Sequence, residues 1–133
     1  MKLQISQEQY EQIVAHARAE APNECCGIVS ASGGEAIKVY PATNARASEF
    51  SFVIDGEEQL KIDREIDDAG VDYGAIYHSH TRSAPKPSLT DIKYAQMWPG
   101  VLWIIVGLAG ADPHVRAFTI DDGRVSETEL VVQ

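Results

Sequence analysis

The chain has 133 residues, enough for one domain with a real hydrophobic core. Hydrophobic residues make up 44% and charged residues 23%, an ordinary globular composition that excludes a disordered, collagenous or coiled-coil chain. Twenty acidic against 11 basic residues leave a net charge of −9, which repels nucleic-acid phosphates and anionic lipid, so neither nucleic acid nor membrane is expected as a partner.

Met1 to Gln9 carry no apolar signal-peptide core, and the first helix is expected just beyond. Ser6 and Gln9 form a capping-box pattern that opens it. Tyr10, Ile13, Val14 and Ala17 then follow at i, i+3, i+4 and i+7, an amphipathic stripe, and Pro22 with Asn23 ends the helix. Adjacent cysteines, Cys25 and Cys26, cannot pair without strain, so a reducing, cytoplasmic protein is expected. Cys26 to Val29 reads as a strand, Gly33-Gly34 as a turn and Ala36 to Tyr40 as the returning strand. Pro41 to Phe52 is loop-like. Asp55, with Glu58 three residues on, starts a second helix that turns Ile62, Ile66 and Ala69 inward and ends at Gly70.

Tyr73 to His80 reads as a strand with alternating faces, and Thr81 to Pro87 as a loop stiffened by Pro85 and Pro87. A third helix is expected over Leu89 to Met97, stopped by Pro99-Gly100. Val101 to Leu108 is apolar on both faces, as in a central covered strand, and the longest apolar run, Val101 to Ala109, is too short to span a bilayer. Val115 to Ile120 and Val125 to Val132 flank Asp122-Gly123, a hairpin signal. The expected order is α-β-β-α-β-α-β-β-β: an α/β (α+β) single domain, a mixed, mostly antiparallel sheet flanked by helices.

The chemistry concentrates at His78-Ser79-His80. Residues two apart on a strand share a face, about 6.6 Å apart, so both imidazoles can converge on one metal ion. The plain alternative is a polar pair at an exposed strand end. Ser88 and Asp91 likewise have two readings: a capping box opening the third helix, or functional groups beside the histidines. Two neutral imidazoles and one carboxylate suit zinc and leave a fourth position for water, the arrangement of a catalytic rather than a structural site. Such a site needs a group to accept and return the water's proton, and Glu24, just before the Cys26 strand, is the candidate. By periodicity alone Glu24 reads rather as a solvated acid in the turn after the first helix.

Taken together, Glu24 in Pro-Asn-Glu-Cys-Cys-Gly, His78-Ser-His80 and Ser88-x-x-Asp91 resemble the JAMM motif of the MPN+ metalloproteases, and Pro87 before the serine also fits. The resemblance runs from about Ile5 to Ile120, in the family's order of elements. It implies that His78, His80 and Asp91 hold Zn2+, that Glu24 is general base and then acid, and that Ser88 helps to stabilise the oxyanion. It further implies attack of activated water on an amide carbonyl without an acyl-enzyme. Thr81 follows His80 where eukaryotic deubiquitinases usually have proline; bacterial members, including those resembling the Mec-type peptidase, tolerate threonine there. The chain has little room for the insertions with which eukaryotic isopeptidases hold ubiquitin. The implied partner is a ubiquitin-like or sulfur-carrier protein ending in Gly-Gly, from which a residue such as cysteine is released, the tail adding as a strand beside the sheet. The other readings are an isopeptidase that removes such a modifier from lysine, and a non-catalytic MPN scaffold, which the full set of ligand positions disfavours.

Four other features read more simply. Cys25 and Cys26 suit a buried strand better than a cysteine nucleophile. The His-x-Glu and Pro-Cys-x-x-Cys signature of zinc nucleobase deaminases is absent. His16 and His114 read as surface residues, and Trp98 and Trp103 as packing residues, the alternative for Trp98 being the border of a substrate groove near the third helix.

Overall fold

The computed structural model describes residues 2–133. Three helices surround seven strands: β1 (Lys2–Ile5), α1 (Gln7–Glu20), β2 (Cys26–Ser32), β3 (Glu35–Ala42), α2 (Gly56–Ala69), β4 (Asp72–His80), α3 (Leu89–Ala95), β5 (Leu102–Gly107), β6 (His114–Asp121) and β7 (Arg124–Val132). The strands close into a barrel in the order β1-β3-β2-β4-β5-β6-β7. The pairing is mixed: β2–β3, β2–β4, β5–β6 and β6–β7 are antiparallel, while β4–β5, β1–β7 and β1–β3 are parallel. No helix among the described residues is long and apolar enough to cross a membrane.

Every expected helix and strand forms, with ends shifted by one to three residues; α3, for example, stops at Ala95 rather than Met97. Capping explains the helix starts. The Ser6 hydroxyl accepts from the Gln9 N–H at 3.0 Å, and the Gln9 side chain accepts from the Ser6 N–H at 2.9 Å. Asp55 caps α2 by accepting from the Glu58 N–H, and Gly70 ends it at φ +69°, a left-handed position that glycine adopts without strain. Ile62 and Ile66 are buried as expected, but Ala69, in the last turn, is exposed. Asp122 and Gly123 both have positive φ, as the tight β6–β7 hairpin requires.

Strand β1 was not expected. Its four residues alternate, with Leu3 and Ile5 buried, and its partner β7 lies at the other end of the chain, with Ile5 beside Val132. This pairing, with one β1–β3 ladder pair at Gln4 and Glu35, closes the sheet.

Two apolar layers cover the sheet. One includes Ile13, Val14 and Ala17 of α1 with Cys25, Val29, Tyr77 and Val106. The other includes Ile62 and Ile66 of α2 and Ala95 of α3 with Cys26, Ile76, Trp103 and Ile105. Strand β5 is buried along its whole length, as its apolar faces predict. Strand β4 lies between β2 and β5, so its carboxyl end is rigidly framed. Gly107, opposite His80, admits the 81–88 loop: a Cβ there would sit 2.9 Å from a Pro85 ring carbon.

Candidate metal centre

His78 and His80 share a strand face with Ile76, towards the layer of α2 and α3, while Tyr77 and Ser79 face α1. Strand β4 thus presents both imidazoles at its end, and the first turn of α3 brings Asp91 against them. His78 Nε2 and His80 Nε2 each lie 3.0 Å from Asp91 Oδ2 and 3.2 Å from one another. Glu24 completes the group: one ligand-type atom from each of Glu24, His78, His80 and Asp91 lies within 4.8 Å of the others, and all four residues are buried.

The donor triangle fits a small divalent cation. Tetrahedral ligands at ~2.0–2.1 Å from zinc stand about 3.3 Å apart, close to the spacing here. Hydrogen bonding explains the triangle poorly. The His80 Nδ1–H donates to the Ala84 carbonyl at 2.9 Å, so the neutral ring presents a bare Nε2 lone pair towards the Asp91 carboxylate. Two lone pairs at that distance repel unless a proton or a cation lies between them. The residues present therefore fit a metal of the zinc type: borderline-soft nitrogen donors with one carboxylate oxygen.

The electrostatics differ from group to group. Complete burial holds the His78 imidazole below its ordinary pKa, against the pull of Asp91, and so favours the neutral, ligating form. Burial also acts on His80, but the Asp91 carboxylate and the Ala84 carbonyl outweigh it and raise that pKa. Burial opposes ionisation of Asp91, yet both imidazoles and the Ser88 N–H hold its carboxyl well below the usual range. Glu24 differs: burial, helped by the Asp91 charge and opposed by His80, pushes its pKa up to about 8. Its Oε1 is buried with no hydrogen-bond partner. A buried carboxyl oxygen without a partner is costly, and folding alone gives no reason for it. The solvated-acid reading of Glu24 is therefore wrong, because the 43–55 loop covers the turn in which it sits.

That loop supplies residues the sequence did not reveal. The Glu24 N–H donates to the Ser48 carbonyl at 2.8 Å, and the Asn44 amide donates to the Glu24 carbonyl at 3.1 Å. Asn44 also bonds the backbone of Arg46, Ser51 and Val53, so one side chain knots the loop and fixes Glu24. No local pattern marks Asn44. On the other side, the Cys25 N–H donates to the Ser79 hydroxyl at 2.8 Å, so the residue between the histidines ties β4 to the Glu24 turn. Phe52 of the same loop stacks on His78 with ring centroids 4.5 Å apart.

Ser88 forms the capping box read from the sequence. Its hydroxyl accepts from the Asp91 N–H at 3.1 Å, and its own N–H donates to Asp91 Oδ2 at 3.0 Å. The oxygen facing both histidines is thus oriented by the helix cap.

Cys25 and Cys26 are fully buried free thiols on opposite faces of the sheet, and burial pushes Cys25 up to about 12 and Cys26 higher still. Neither is an activated nucleophile. His114 is exposed, as expected. His16 departs from expectation: its side chain is only 14% exposed, and its Nδ1 lies 2.7 Å from the hydroxyl of buried Tyr77. Trp103 is buried and Trp98 packs on Tyr73 and Tyr94.

Comparison with known proteins places this geometry among relatives. The family described as prokaryotic homologs of the JAB domain matches residues 6–121. The CysO-cysteine peptidase of Mycobacterium tuberculosis is 38% identical over 125 residues, covering 90% of this chain and 84% of that protein. A probable TtuB-protein conjugate cleaving protease of Thermus thermophilus is 36% identical over 123 residues, covering 92% and 77%. A solution structure from Desulfitobacterium hafniense superposes with a TM-score of 0.85 at 30% identity, covering 100% of this chain and 93% of that one.

Proposed function

The chain belongs to the prokaryotic JAB family as a JAMM-type metalloprotease or isopeptidase, and from that premise we propose that it hydrolyses the amide bond after the C-terminal Gly-Gly of a ubiquitin-like or sulfur-carrier protein. In this reading the whole chain, 1–133, is one such domain. It works in the cytoplasm, where two free thiols stay reduced. The convergence of His78, His80 and Asp91 beside the unpartnered Glu24 carboxylate carries the proposal.

His78, His80 and Asp91 would hold Zn2+. When bound, zinc supplies Lewis acidity that lowers the pKa of water to ~7. Glu24, held by Asn44 and the Ser48 carbonyl, accepts the proton of the attacking water and returns it to the leaving amine. Glu24, His78, His80 and Asp91 are buried, and in such a low-dielectric setting charge interactions with a reacting carbonyl are stronger than in water. The Ser88 hydroxyl accepts the Asp91 N–H in the helix cap and keeps its own proton, which is free to donate to the developing oxyanion. A Gly-Gly tail suits this approach because glycine lets backbone come close to the ligands. At His78 strand β4 is paired on both sides, with Cys26 and Ile105, whereas His80 is paired only with Gly107, so a tail adding as a strand would meet β4 beyond His78.

Similarity to a CysO-cysteine peptidase favours cysteine as the leaving group, whereas similarity to a conjugate-cleaving protease favours a lysine isopeptide. The discriminating experiment offers the zinc-loaded protein Gly-Gly sulfur carriers extended by cysteine, or linked to a lysine side chain, with mass spectrometry as readout. Cleavage of the cysteine extension is expected. Cleavage of the isopeptide alone would favour the second reading, and cleavage of neither would leave a scaffold.

Ser88→Ala separates the two roles of one hydroxyl. Loss of the cap should cost about 1 kcal/mol of stability. Loss of an oxyanion donor should lower the single-turnover rate by ~10²–10³-fold with zinc bound. A variant with a lower melting temperature and a wild-type rate would assign Ser88 to capping alone.

A further inference from the structure

The charge on this protein is unevenly distributed around the metal centre. Segments 43–55 and 81–97 frame it: Phe52 stacks on His78, the Ala84 carbonyl holds His80, and Asp91 lies at the start of α3. These segments carry four of the chain's 11 basic residues, Arg46, Arg82, Lys86 and Lys93. They hold three of its 20 acidic residues. Asp91 is buried in the site, Glu49 is paired with Arg82 at 2.7 Å, and Asp55 accepts the Glu58 N–H at the start of α2. In a chain of net charge −9, every other carboxylate lies outside this rim, and Glu24 among them is buried.

Apolar exposure gathers on the same rim. Leu89 is 86% exposed, Met97 73% and Phe50 71%, the three most exposed large hydrophobic side chains among the described residues. Between the segments runs a groove lined by Arg46, Phe52, Val53, Lys93, Tyr94 and Met97, and Phe52 joins its floor to His78.

We propose that this basic and apolar rim docks an acidic protein partner, and that it selects substrates with carboxylates upstream of the cleaved tail. The inference rests on the peptidase reading above and names the substrate class of that site. A cationic rim on an otherwise anionic protein orients such a partner. The remaining surface repels an acidic partner while the rim attracts it, so encounter delivers the tail to the histidine end of the barrel. Exposed Leu89, Met97 and Phe50 favour a protein over a small anion, because they offer apolar area that only a macromolecular surface can cover.

The test uses three fluorescent peptides ending in the same Gly-Gly-Cys, preceded by a run of Asp and Glu, of Lys, or of Ser. Cleavage and anisotropy are measured with the zinc-loaded protein at low and high salt. The acidic peptide is expected to show a KM about tenfold below the lysine peptide, with similar kcat, and the gap should shrink as salt rises. In Arg46→Glu/Lys93→Glu the preference should vanish or invert, with zinc content and melting temperature showing that the protein is folded. Equal KM and equal binding for the charged peptides at low salt would overturn the rim. So would retention on phosphatidylglycerol vesicles without any peptide preference, which would assign the rim to a membrane surface. Absence of cleavage with all three peptides, with preferential binding of the acidic one intact, would sink the peptidase reading and leave the docking surface standing.

Discussion

Glu24→Gln is expected to keep its zinc and lose ~10²–10⁴-fold in turnover, the usual contribution of a general acid–base group. The amide preserves the size of the side chain and the backbone bonds to Ser48 and Asn44, so the turn that carries it should be unchanged. What it lacks is a site for the water's proton. The same substitution has a second signature in the chelated protein. Burial raises the Glu24 pKa from 4.5 to about 8, so the folded protein retains a proton that the unfolded chain has already released. Stability from this group is complete below about pH 4.5 and is lost as pH rises through about 8. The lowered pKa of Asp91 runs the other way, but its stabilisation is lost only in stronger acid, below this window. The raised pKa of His80 gives stability that also declines with rising pH, and the lowered pKa of His78 opposes it. The His78 shift remains in the variant, while His80 loses the part of its shift that the Glu24 charge supplies, so the difference between wild type and Glu24→Gln reports Glu24 together with its coupling to His80. Denaturant melts at pH 5 and pH 8 should show wild type losing more stability than the variant over that interval. Near wild-type turnover together with parallel pH profiles would remove Glu24 from the chemistry.

His78→Ala, His80→Ala and Asp91→Ala should each reduce zinc from about one ion per chain to a small fraction, with activity at background. Each removes one of three protein donors. Loss of a mere outer-shell partner already costs ~10–100-fold in metal affinity, and loss of a ligand should exceed that. Metal content by elemental analysis and the thermal shift on adding zinc are independent readouts. A ligand at 100 times its Kd stabilises a protein by about 2.7 kcal/mol, and that shift should disappear in all three variants. Asp91→Ala should also lower the melting temperature of the chelated protein. Its Oδ2 accepts the Ser88 N–H as well as facing the histidines, so the capping box is lost with the ligand. Asp91→Asn keeps an acceptor for that N–H and should restore the stability without restoring the metal. Unchanged zinc in the three alanine variants would end the metal assignment.

The site was largely legible because its chemistry is local or semi-local in the chain. A strand alternates faces, so His78 and His80 must point the same way whatever surrounds them. A capping box places Asp91 in the first turn of α3 by backbone hydrogen bonding alone, and the structure shows both of its bonds. The same local rules predicted Ser6 at the start of α1, Asp55 and Gly70 at the ends of α2, and the Asp122-Gly123 hairpin. Resemblance to a metalloprotease motif then joined residues that spacing alone left as a strand end, a helix cap and a turn.

Tertiary structure decided the rest, because the deciding contacts join residues far apart in sequence. Strand β1 has four residues and gains its meaning only from β7 at the opposite end of the chain; without that pairing the barrel does not close. Glu24 looked solvated because nothing near it in sequence is apolar enough to cover it. The 43–55 loop covers it, and Asn44 holds that loop through four backbone bonds that no periodicity announces. His16 sits in a helix segment that reads as surface, yet it bonds the hydroxyl of Tyr77 on β4. Sequence by itself determined which side chains could ligate a metal and which helices and strands would carry them. Only folding decided that Glu24 would be buried without a partner beside them, since burial is a property of what the remote chain packs over a residue.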